Sequence, residues 1–210
     1  MPNSHSHEEK KSLRKAIQVQ RQRLSDQERR IKSQALIKTV GLGSPFLQSH
    51  RIAFYWPAHG EIDPGPLMKR AFKFKKHCYL PVLHPLKPRE LVFVEYKPGD
   101  PLFLNRYGIY EPQLRKEKQI VPWMLNLVLV PLLSFDTQGH RLGRGQGYYD
   151  RTFDFIKTHS KPLHPKLIGL AYDFQQREQL PAGEWDIVLS GIATESRLLH
   201  FPCLESRDLE

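Results

Sequence analysis

The first forty residues carry apolar side chains at helical spacing. Between Lys10 and Val40 they recur three, four or seven positions apart along much of the stretch, as on one face of a helix. A polar break at Ser25 is followed three residues later by Glu28, and this spacing is typical of the capping box that starts a helix. The pattern predicts two helices, the second beginning after Ser25 and ending before the turn at 41–45.

Five short apolar runs follow, and each has the length and composition of a buried strand. The runs are RIAFYW at 51–56, HCYLPVL at 77–83, LVFVEY at 91–96, LNLVLVPLL at 125–133 and KLIGLAY at 166–172. A helix is predicted at 67–76, and a last short strand at 186–189. Apolar strands that alternate with helices predict an α/β fold: an open, mostly parallel sheet with helices on both faces in a Rossmann-like three-layer arrangement, preceded by the N-terminal helices.

The position of a binding site follows from this fold class. Ligands of open α/β sheets bind beyond the carboxyl ends of the strands. We therefore expect the loops after Trp56, Leu133 and Tyr172 to line the site.

Composition is that of one soluble domain spanning residues 1–210, with 40% hydrophobic and 26% charged residues. Residues 1–8 and about 200–210 are expected to be flexible ends. No apolar run approaches the roughly 20 residues of a membrane span, and the N-terminus lacks the apolar stretch of a signal peptide, so a cytoplasmic protein is expected. Cys78 and Cys203 show neither disulfide-framework nor zinc-site spacing.

The formal charge of +10 predicts an anionic partner. A nucleic acid, an anionic membrane, a nucleotide and a polyglutamylated substrate would each suit this charge. No nucleic-acid-binding signature accompanies the basic residues, which makes that class the less favoured one.

The strongest local signal is the run RLGRGQGYYDR from Arg141 to Arg151, after the fourth predicted strand. Three glycines at alternate positions let backbone amides approach an anion closely, and three arginines flank them. A helix predicted from Tyr148 to Ile156 would add its positive N-terminal end. The spacing matches neither the dinucleotide fingerprint nor the P-loop. A plain surface turn is the alternative, but it would not usually concentrate so many arginines, tyrosines and a carboxylate.

The segment FDTQGHRLGRGQGYYDR resembles the signature of the 5-formyltetrahydrofolate cyclo-ligase (methenyltetrahydrofolate synthetase) family. Further agreement lies in KKSLR, GEID, LPVLHP, GIYEP and LPAGEWDIVLS, spread over most of the chain. The resemblance implies a monomeric enzyme that uses ATP and Mg²⁺ to convert 5-formyltetrahydrofolate, with or without a polyglutamate tail, into 5,10-methenyltetrahydrofolate, ADP and phosphate. It implies a phosphorylated formyl group, an iminophosphate, as the intermediate, and no nucleic-acid or membrane partner.

The resemblance also implies roles for individual residues. For ATP it implies a basic N-terminal group and the glycine loop, namely Lys10, Lys11, Arg14, Arg141, Leu142, Gly143, Arg144, Gly145, Gln146, Gly147, Tyr148 and Tyr149. For the folate it implies Tyr55, Trp56, Ala58, Glu61 and Asp63, together with Arg144 and Tyr148, which are also the predicted catalytic residues. Asp150 and Asp186 are the implied metal ligands. The family often has a larger apolar residue at the position of Ala58.

Local sequence alone leaves other interpretations open. Lys10 and Arg14 would suit a solvated helix face, Glu61 the cap of a turn, and Asp186 a turn carboxylate. Tyr55 and Trp56 would suit the core. Three other functions remain as alternatives: a nucleic-acid-binding protein, a non-catalytic nucleotide or folate sensor, and an ATP-dependent phosphoryl-transfer enzyme with another small substrate.

Overall fold

The computed structural model of the chain describes residues 4–158, 165–181, 183 and 186–201. Residues 1–3 and 202–210, which belong to the two predicted flexible ends, lie outside the described residues, as does Cys203. The first helix begins at Ser4, inside the predicted N-terminal end.

Six α-helices are present in the described part of the chain. They are α1 Ser4–Arg23, α2 Asp26–Thr39, α3 Ser44–Gln48, α4 Gly65–Lys73, α5 Tyr148–Thr152 and α6 Phe155–Thr158. The predicted capping box is confirmed, because Ser25 Oγ accepts from the Glu28 amide at 3.2 Å and the Ser25 amide donates to Glu28 Oε2 at 2.8 Å. None of the described helices has the length and apolar character needed to cross a membrane.

Twelve β-strands are present in the same residues. They are β1 Arg51–Ala53, β2 His77–Leu83, β3 Leu91–Glu95, β4 Leu102–Leu104, β5 Tyr110–Pro112, β6 Gln119–Ile120, β7 Leu127–Pro131, β8 Ser134–Phe135, β9 Arg141–Leu142, β10 Lys166–Leu170, β11 Gly191–Ala193 and β12 Leu198–His200. Eight form one sheet in the order β12-β11-β10-β7-β1-β2-β3-β6, and β4–β5 and β8–β9 form two separate hairpins. The central strands β11, β10, β7, β1 and β2 are parallel, and antiparallel pairings occur only towards the two edges.

The predicted α/β fold class is confirmed, because each face of the sheet packs against helices. Alternate residues of β7 enter two different cores. Leu129 packs with Leu36 and Leu67 from α2 and α4, whereas Val128 packs on the other face with Phe153, at the end of α5. Burial on both faces explains why the central strands are continuous apolar runs in the sequence.

Two predicted elements are wrong. Residues 186–189 form no strand, because the Ile187 amide bonds to the Asp150 carboxylate and the Leu189 amide to the Gly139 carbonyl instead of to a neighbouring strand. Their apolar side chains nevertheless lie in the core. The helix predicted at 148–156 is interrupted after Thr152, so α5 has only five residues and a correspondingly weak N-terminal dipole.

Loss of the capping box is expected to destabilise the protein. In Ser25→Ala the amide of Glu28 loses its acceptor, and we expect the free energy of unfolding to fall by about 1 kcal/mol in urea titration. Gln27→Ala, an exposed neighbour in the same helical turn, is the matched control and should change stability by less than about 0.5 kcal/mol. Equal stability of the two variants would contradict the role assigned to the cap.

Candidate functional site

A cavity of about 630 Å³ lies beyond the carboxyl ends of the parallel strands, as the fold class predicted. Leu83 at the end of β2, and Tyr55 and Leu132 shortly beyond β1 and β7, contribute to its wall. The expected loops after Trp56 and Leu133 therefore do line the site. The loop directly after Tyr172 does not, because residues 173–181 are absent from the described lining. The lining comprises Lys10, Arg14, Tyr55, Trp56, His59, Glu61, Pro81, Leu83, Leu91, Asn105, Tyr107, Ile109, Tyr110, Glu111, Pro131, Leu132, residues 141–150 and Asp186.

The glycine loop begins in a short hairpin that the sequence did not predict. Strands β8 and β9 pair Ser134 with Leu142, and the Leu133 amide donates to the Leu142 carbonyl at 2.7 Å. Gly145 and Gly147 have φ values of 92° and 68°, in the left-handed region that other residues adopt only with strain. The hairpin thus fixes the start of the loop, and the two glycines allow its return towards α5.

Helix α1 brings basic residues to the loop. Lys10 and Arg14 are one helical turn apart and both line the cavity, which disfavours the alternative of a solvated face for them. Arg14 Nε donates to the Gly143 carbonyl at 3.0 Å, and burial lowers the pKa of Arg14. Lys11 points elsewhere: it is exposed and is not among the residues that line the cavity.

The two predicted metal ligands line the same cavity. Asp150 Oδ1 accepts from Arg141 Nη2 at 2.6 Å and from the Ile187 amide at 3.2 Å. Asp186 Oδ2 accepts from the Gly183 amide at 2.8 Å, so Asp186 also shapes a turn, as local sequence suggested. Within the described residues no group of three or more His, Cys, Asp or Glu side chains is arranged to hold a metal. A metal here would need ligands from a substrate or from water.

Arg144 joins the glycine loop to the loop after β1. Its Nη2 lies 2.9 Å from Glu61 Oε1 and 3.2 Å from the Ala58 carbonyl. The other oxygen of Glu61 accepts from the Ala58 amide at 3.1 Å, so Glu61 both closes a turn and faces the cavity. At 9% exposure the Glu61 carboxylate is nearly buried, which strengthens its attraction to Arg144.

Two of the predicted folate contacts do not reach this cavity. Ala58 and Asp63 line a neighbouring depression of about 510 Å³ instead. Asp63 is exposed; its Oδ1 accepts from the Gly65 amide at 2.7 Å at the start of α4, and its own amide donates to Ser33 Oγ at 3.0 Å. The Asp63 side chain therefore stabilises the loop-to-helix turn, and the structure does not bring it to the site.

The hairpin β4–β5 forms a wall of the cavity that sequence reasoning missed. Arg106 Nη2 donates to Tyr148 Oη at 2.9 Å, and the hydroxyls of Tyr107 and Tyr148 are 3.1 Å apart. Asn105 shapes the hairpin tip, since its Oδ1 accepts from the amides of Tyr107 and Ile109. The only signal in the sequence was the nearby GIYEP segment, to which no role had been assigned.

These contacts change the acidity of Tyr148. Partial burial acts to raise its pKa, but the hydrogen bonds from Tyr107 and Arg106, together with the positive charge of Arg106, outweigh burial and lower it. The hydroxyl of Tyr148 is therefore held at a defined position and made a better proton donor than a free phenol.

An aromatic and aliphatic wall faces the basic one. The Trp56 ring lies edge-on to Tyr96 and Tyr110, with centroids 6.3 and 6.1 Å apart. Tyr55 also lines the cavity but is largely buried. Its hydroxyl donates to the Ile62 carbonyl at 2.5 Å, and burial raises its pKa. Leu83 extends the wall. A flat, partly apolar ring would be accommodated there.

Comparison with known proteins identifies the family of the chain. A family model described as the 5-formyltetrahydrofolate cyclo-ligase family matches residues 6–195. A protein of Escherichia coli (strain K12) named 5-formyltetrahydrofolate cyclo-ligase is 36% identical over 154 residues, covering 73% of this chain and 82% of that protein. One of the same name from Haemophilus influenzae is 39% identical over 145 residues, covering 69% and 75%.

Solved structures extend the likeness to the fold. The NMR structure of Aquifex aeolicus 5,10-methenyltetrahydrofolate synthetase has a TM-score of 0.75 at 32% identity and covers 96% of both chains. A 5,10-methenyltetrahydrofolate synthetase from Mycoplasma pneumoniae has a TM-score of 0.66 at 26% identity, covering 89% of this chain and 98% of that one. Sequence, fold and the glycine loop agree, and the chain belongs to the 5-formyltetrahydrofolate cyclo-ligase family.

Proposed function

We propose that the protein is an ATP-dependent 5-formyltetrahydrofolate cyclo-ligase that forms 5,10-methenyltetrahydrofolate, ADP and phosphate. One observation carries the proposal: a single cavity has a basic glycine-rich wall on one side and an aromatic wall on the other. A polyphosphate suits the first wall and a pterin ring the second. The family name supports the folate substrate, and the basic wall beside the aromatic one supports ATP as the second substrate.

The basic wall is suited to the triphosphate of ATP. Lys10 and Arg14 approach it from α1, and Arg141 and Arg144 from the glycine loop. Gly143, Gly145 and Gly147 have no side chain, so the backbone at these three positions is open to phosphate oxygens. Cations arranged around the γ-phosphate would neutralise the charge that develops during phosphoryl transfer. Leu142, buried in β9, serves as a support of this wall rather than as a polar contact.

Asp150 and Asp186 fit a Mg²⁺ ion that arrives with ATP. Proteins commonly hold Mg²⁺ through one or two carboxylates plus substrate phosphates, and two carboxylates line this cavity. The ion would screen the phosphate charges. Binding it would require Asp150 to share its Oδ1 between the metal and Arg141, or to offer its other oxygen.

The aromatic wall and Glu61 are suited to the folate. Trp56, Tyr110 and Leu83 would contact the ring system, and the Glu61 carboxylate would accept hydrogen bonds from ring N–H groups. Arg144 belongs to the glycine loop and pairs with Glu61, so it would lie between the two proposed substrates.

The reaction requires the two substrates to meet. The formyl oxygen attacks the γ-phosphorus as the bond to the ADP oxygen breaks, which gives the iminophosphate. Nitrogen N10 then attacks the formyl carbon and loses its proton to solvent, and the former formyl oxygen leaves with phosphate. Arg144 would stabilise the transferring phosphoryl group, and Tyr148 would orient the formyl or phosphoryl oxygen through its hydroxyl. A monomeric state, a cytoplasmic location and the use of polyglutamylated folates stay predictions.

The activity can be tested directly by absorbance. On mixing the protein with MgATP and 5-formyltetrahydrofolate, we expect the methenyltetrahydrofolate band to grow, and to stop growing when EDTA is added or ATP is left out. Asp150→Asn should lower the rate by at least about 100-fold if Asp150 holds the ion. Folded protein that binds ATP yet forms no methenyl product would reject the folate substrate and favour another phosphoryl acceptor.

The role of Tyr148 can be separated from general packing. In Tyr148→Phe the ring stays and the hydroxyl is lost, so we expect kcat to fall about tenfold or more with little change in the KM for ATP. Tyr107→Phe, which leaves Arg106 as a donor to Tyr148, should cost less than about threefold. Full kcat in Tyr148→Phe would exclude the proposed role.

A further inference from the structure

Arg21 is an unusual residue of helix α1. It is 1% exposed and is the largest fully buried side chain among the described residues. It lies on the same helix face as Lys10, Arg14 and the buried Ile17, at intervals of four, three and four positions. Arginine is rarely buried to this extent without a partner that balances its charge, so its place at the base of the site calls for a physical reason.

Arg21 touches two of the segments that build the cavity. Its Nη2 donates to the Leu132 carbonyl, just beyond β7 and at the entry to the glycine-loop segment. On another side the Cβ of Arg21 supports Gly60, where an added side-chain carbon would lie only 3.2 Å away. Gly60 precedes Glu61, so the loop that carries Glu61 rests directly on Arg21.

The charge of Arg21 is balanced indirectly. Among the described residues no carboxylate lies within ion-pair distance of it, and Nε and Nη1 have no hydrogen-bond partner. Burial lowers the pKa of Arg21. The negative charge of Glu61 is the strongest effect that raises this pKa, whereas the positive charge of Arg144 lowers it further. Two arginines therefore attract the Glu61 carboxylate: Arg144 in direct contact at 2.9 Å and Arg21 at longer range.

A purely structural role explains this arrangement poorly. Replacing buried charged groups by apolar side chains of similar volume is often neutral or stabilising, so a packing role would be served better by an apolar residue. Unlike an apolar residue, Arg21 offers an attraction to Glu61, which needs its charge, and a hydrogen bond to the Leu132 carbonyl just beyond β7, which the charge strengthens.

We propose that Arg21 is a positioning residue for the folate side of the cavity, holding the Glu61 carboxylate and the end of β7 in place from below. This inference rests on the proposed function for its assignment to folate, but the positioning of Glu61 by Arg21 can be measured without turnover. Arg21 makes no contact with the cavity itself and acts through Glu61 and Leu132.

The kinetic test compares three substitutions of Arg21. Arg21→Met removes charge and donor, Arg21→Gln keeps a donor without charge, and Arg21→Lys keeps both. We expect the KM for 5-formyltetrahydrofolate to rise about tenfold in Arg21→Met, with the KM for ATP within about twofold of wild type. Arg21→Lys should restore most of the loss, and Arg21→Gln should lie between. Ile17→Val, on the same buried face, is the matched control and should leave both KM values unchanged.

The second readout is amide hydrogen exchange, which does not depend on catalysis. The Ala58 amide donates to Glu61 Oε2 and the Glu61 amide to the Ala58 carbonyl, both at 3.1 Å, so both report on this loop. We expect faster exchange at both amides in Arg21→Met and Arg21→Gln, with wild-type exchange in Arg21→Lys and Ile17→Val.

The outcomes separate the two proposals. If hydrogen exchange at the Ala58 and Glu61 amides is unchanged in Arg21→Met or Arg21→Gln, the proposed role of Arg21 is overturned, whether or not these variants are active. Equal exchange in Arg21→Lys and Arg21→Met overturns it as well, because charge would then be irrelevant. A wild-type protein without turnover, combined with the expected exchange pattern, would withdraw the folate reaction and keep Arg21 as the residue that positions Glu61. If Arg21→Met does not fold, the comparison of loop exchange in Arg21→Gln and Arg21→Lys decides whether the charge of Arg21 positions Glu61.

Discussion

Strand β7 ends in the interior of the protein, and the carbonyl groups beyond it must find donors there. A buried carbonyl without a partner costs about 1–3 kcal/mol, so the chain supplies donors from distant segments. The Leu132 carbonyl accepts from Arg21 of α1 and from Gln175 Nε2 at 3.0 Å, and the Leu133 carbonyl accepts from the same nitrogen at 2.7 Å. Satisfying these groups ties α1 and the loop after β10 to the start of the glycine-loop segment.

Positive charge around the cavity comes from two parts of the chain. Arg14 lies two turns before Arg21 on α1 and is held at the basic wall by its own hydrogen bond to the Gly143 carbonyl. Arg141 and Arg144 enter from the loop itself, each paired with one carboxylate, Asp150 or Glu61. Lys10 and Arg14 line the same wall and form no ion pair among the described residues. An anionic ligand would pair with these two side chains.

Much of the architecture was predictable because buried strands appear in the sequence as continuous apolar runs. Strand β2 was predicted at its observed limits, since the apolar run is continuous between polar turns. The second helix was predicted from its capping box. The hairpin β4–β5 was missed because Phe103 and Leu104 are exposed there and lack the alternation of a half-buried strand.

The site was predictable only where chemistry is concentrated in a motif. Of the predicted run from Arg141 to Arg151, residues 141–150 line the cavity, whereas Arg151 is exposed and is absent from the lining. Arg106 and Arg21 gave no such signal. The former depends on a tertiary contact with Tyr148 across the cavity, and the latter resembles any other basic residue of α1 until its burial is known. Asp63 lies outside this cavity, and local sequence could not show this, because a carboxylate before a helix suits a cap as well as a ligand.

The central claim is that one cavity brings the formyl oxygen of the folate against the γ-phosphate of ATP. The most direct measurement uses 5-formyltetrahydrofolate carrying ¹⁸O in the formyl group, turned over with MgATP in unlabelled water, with the phosphate examined by ³¹P NMR. The account predicts one ¹⁸O atom in the phosphate for each methenyl product formed. Product formation with unlabelled phosphate would show that the formyl oxygen never bonds to phosphorus, and would contradict the account.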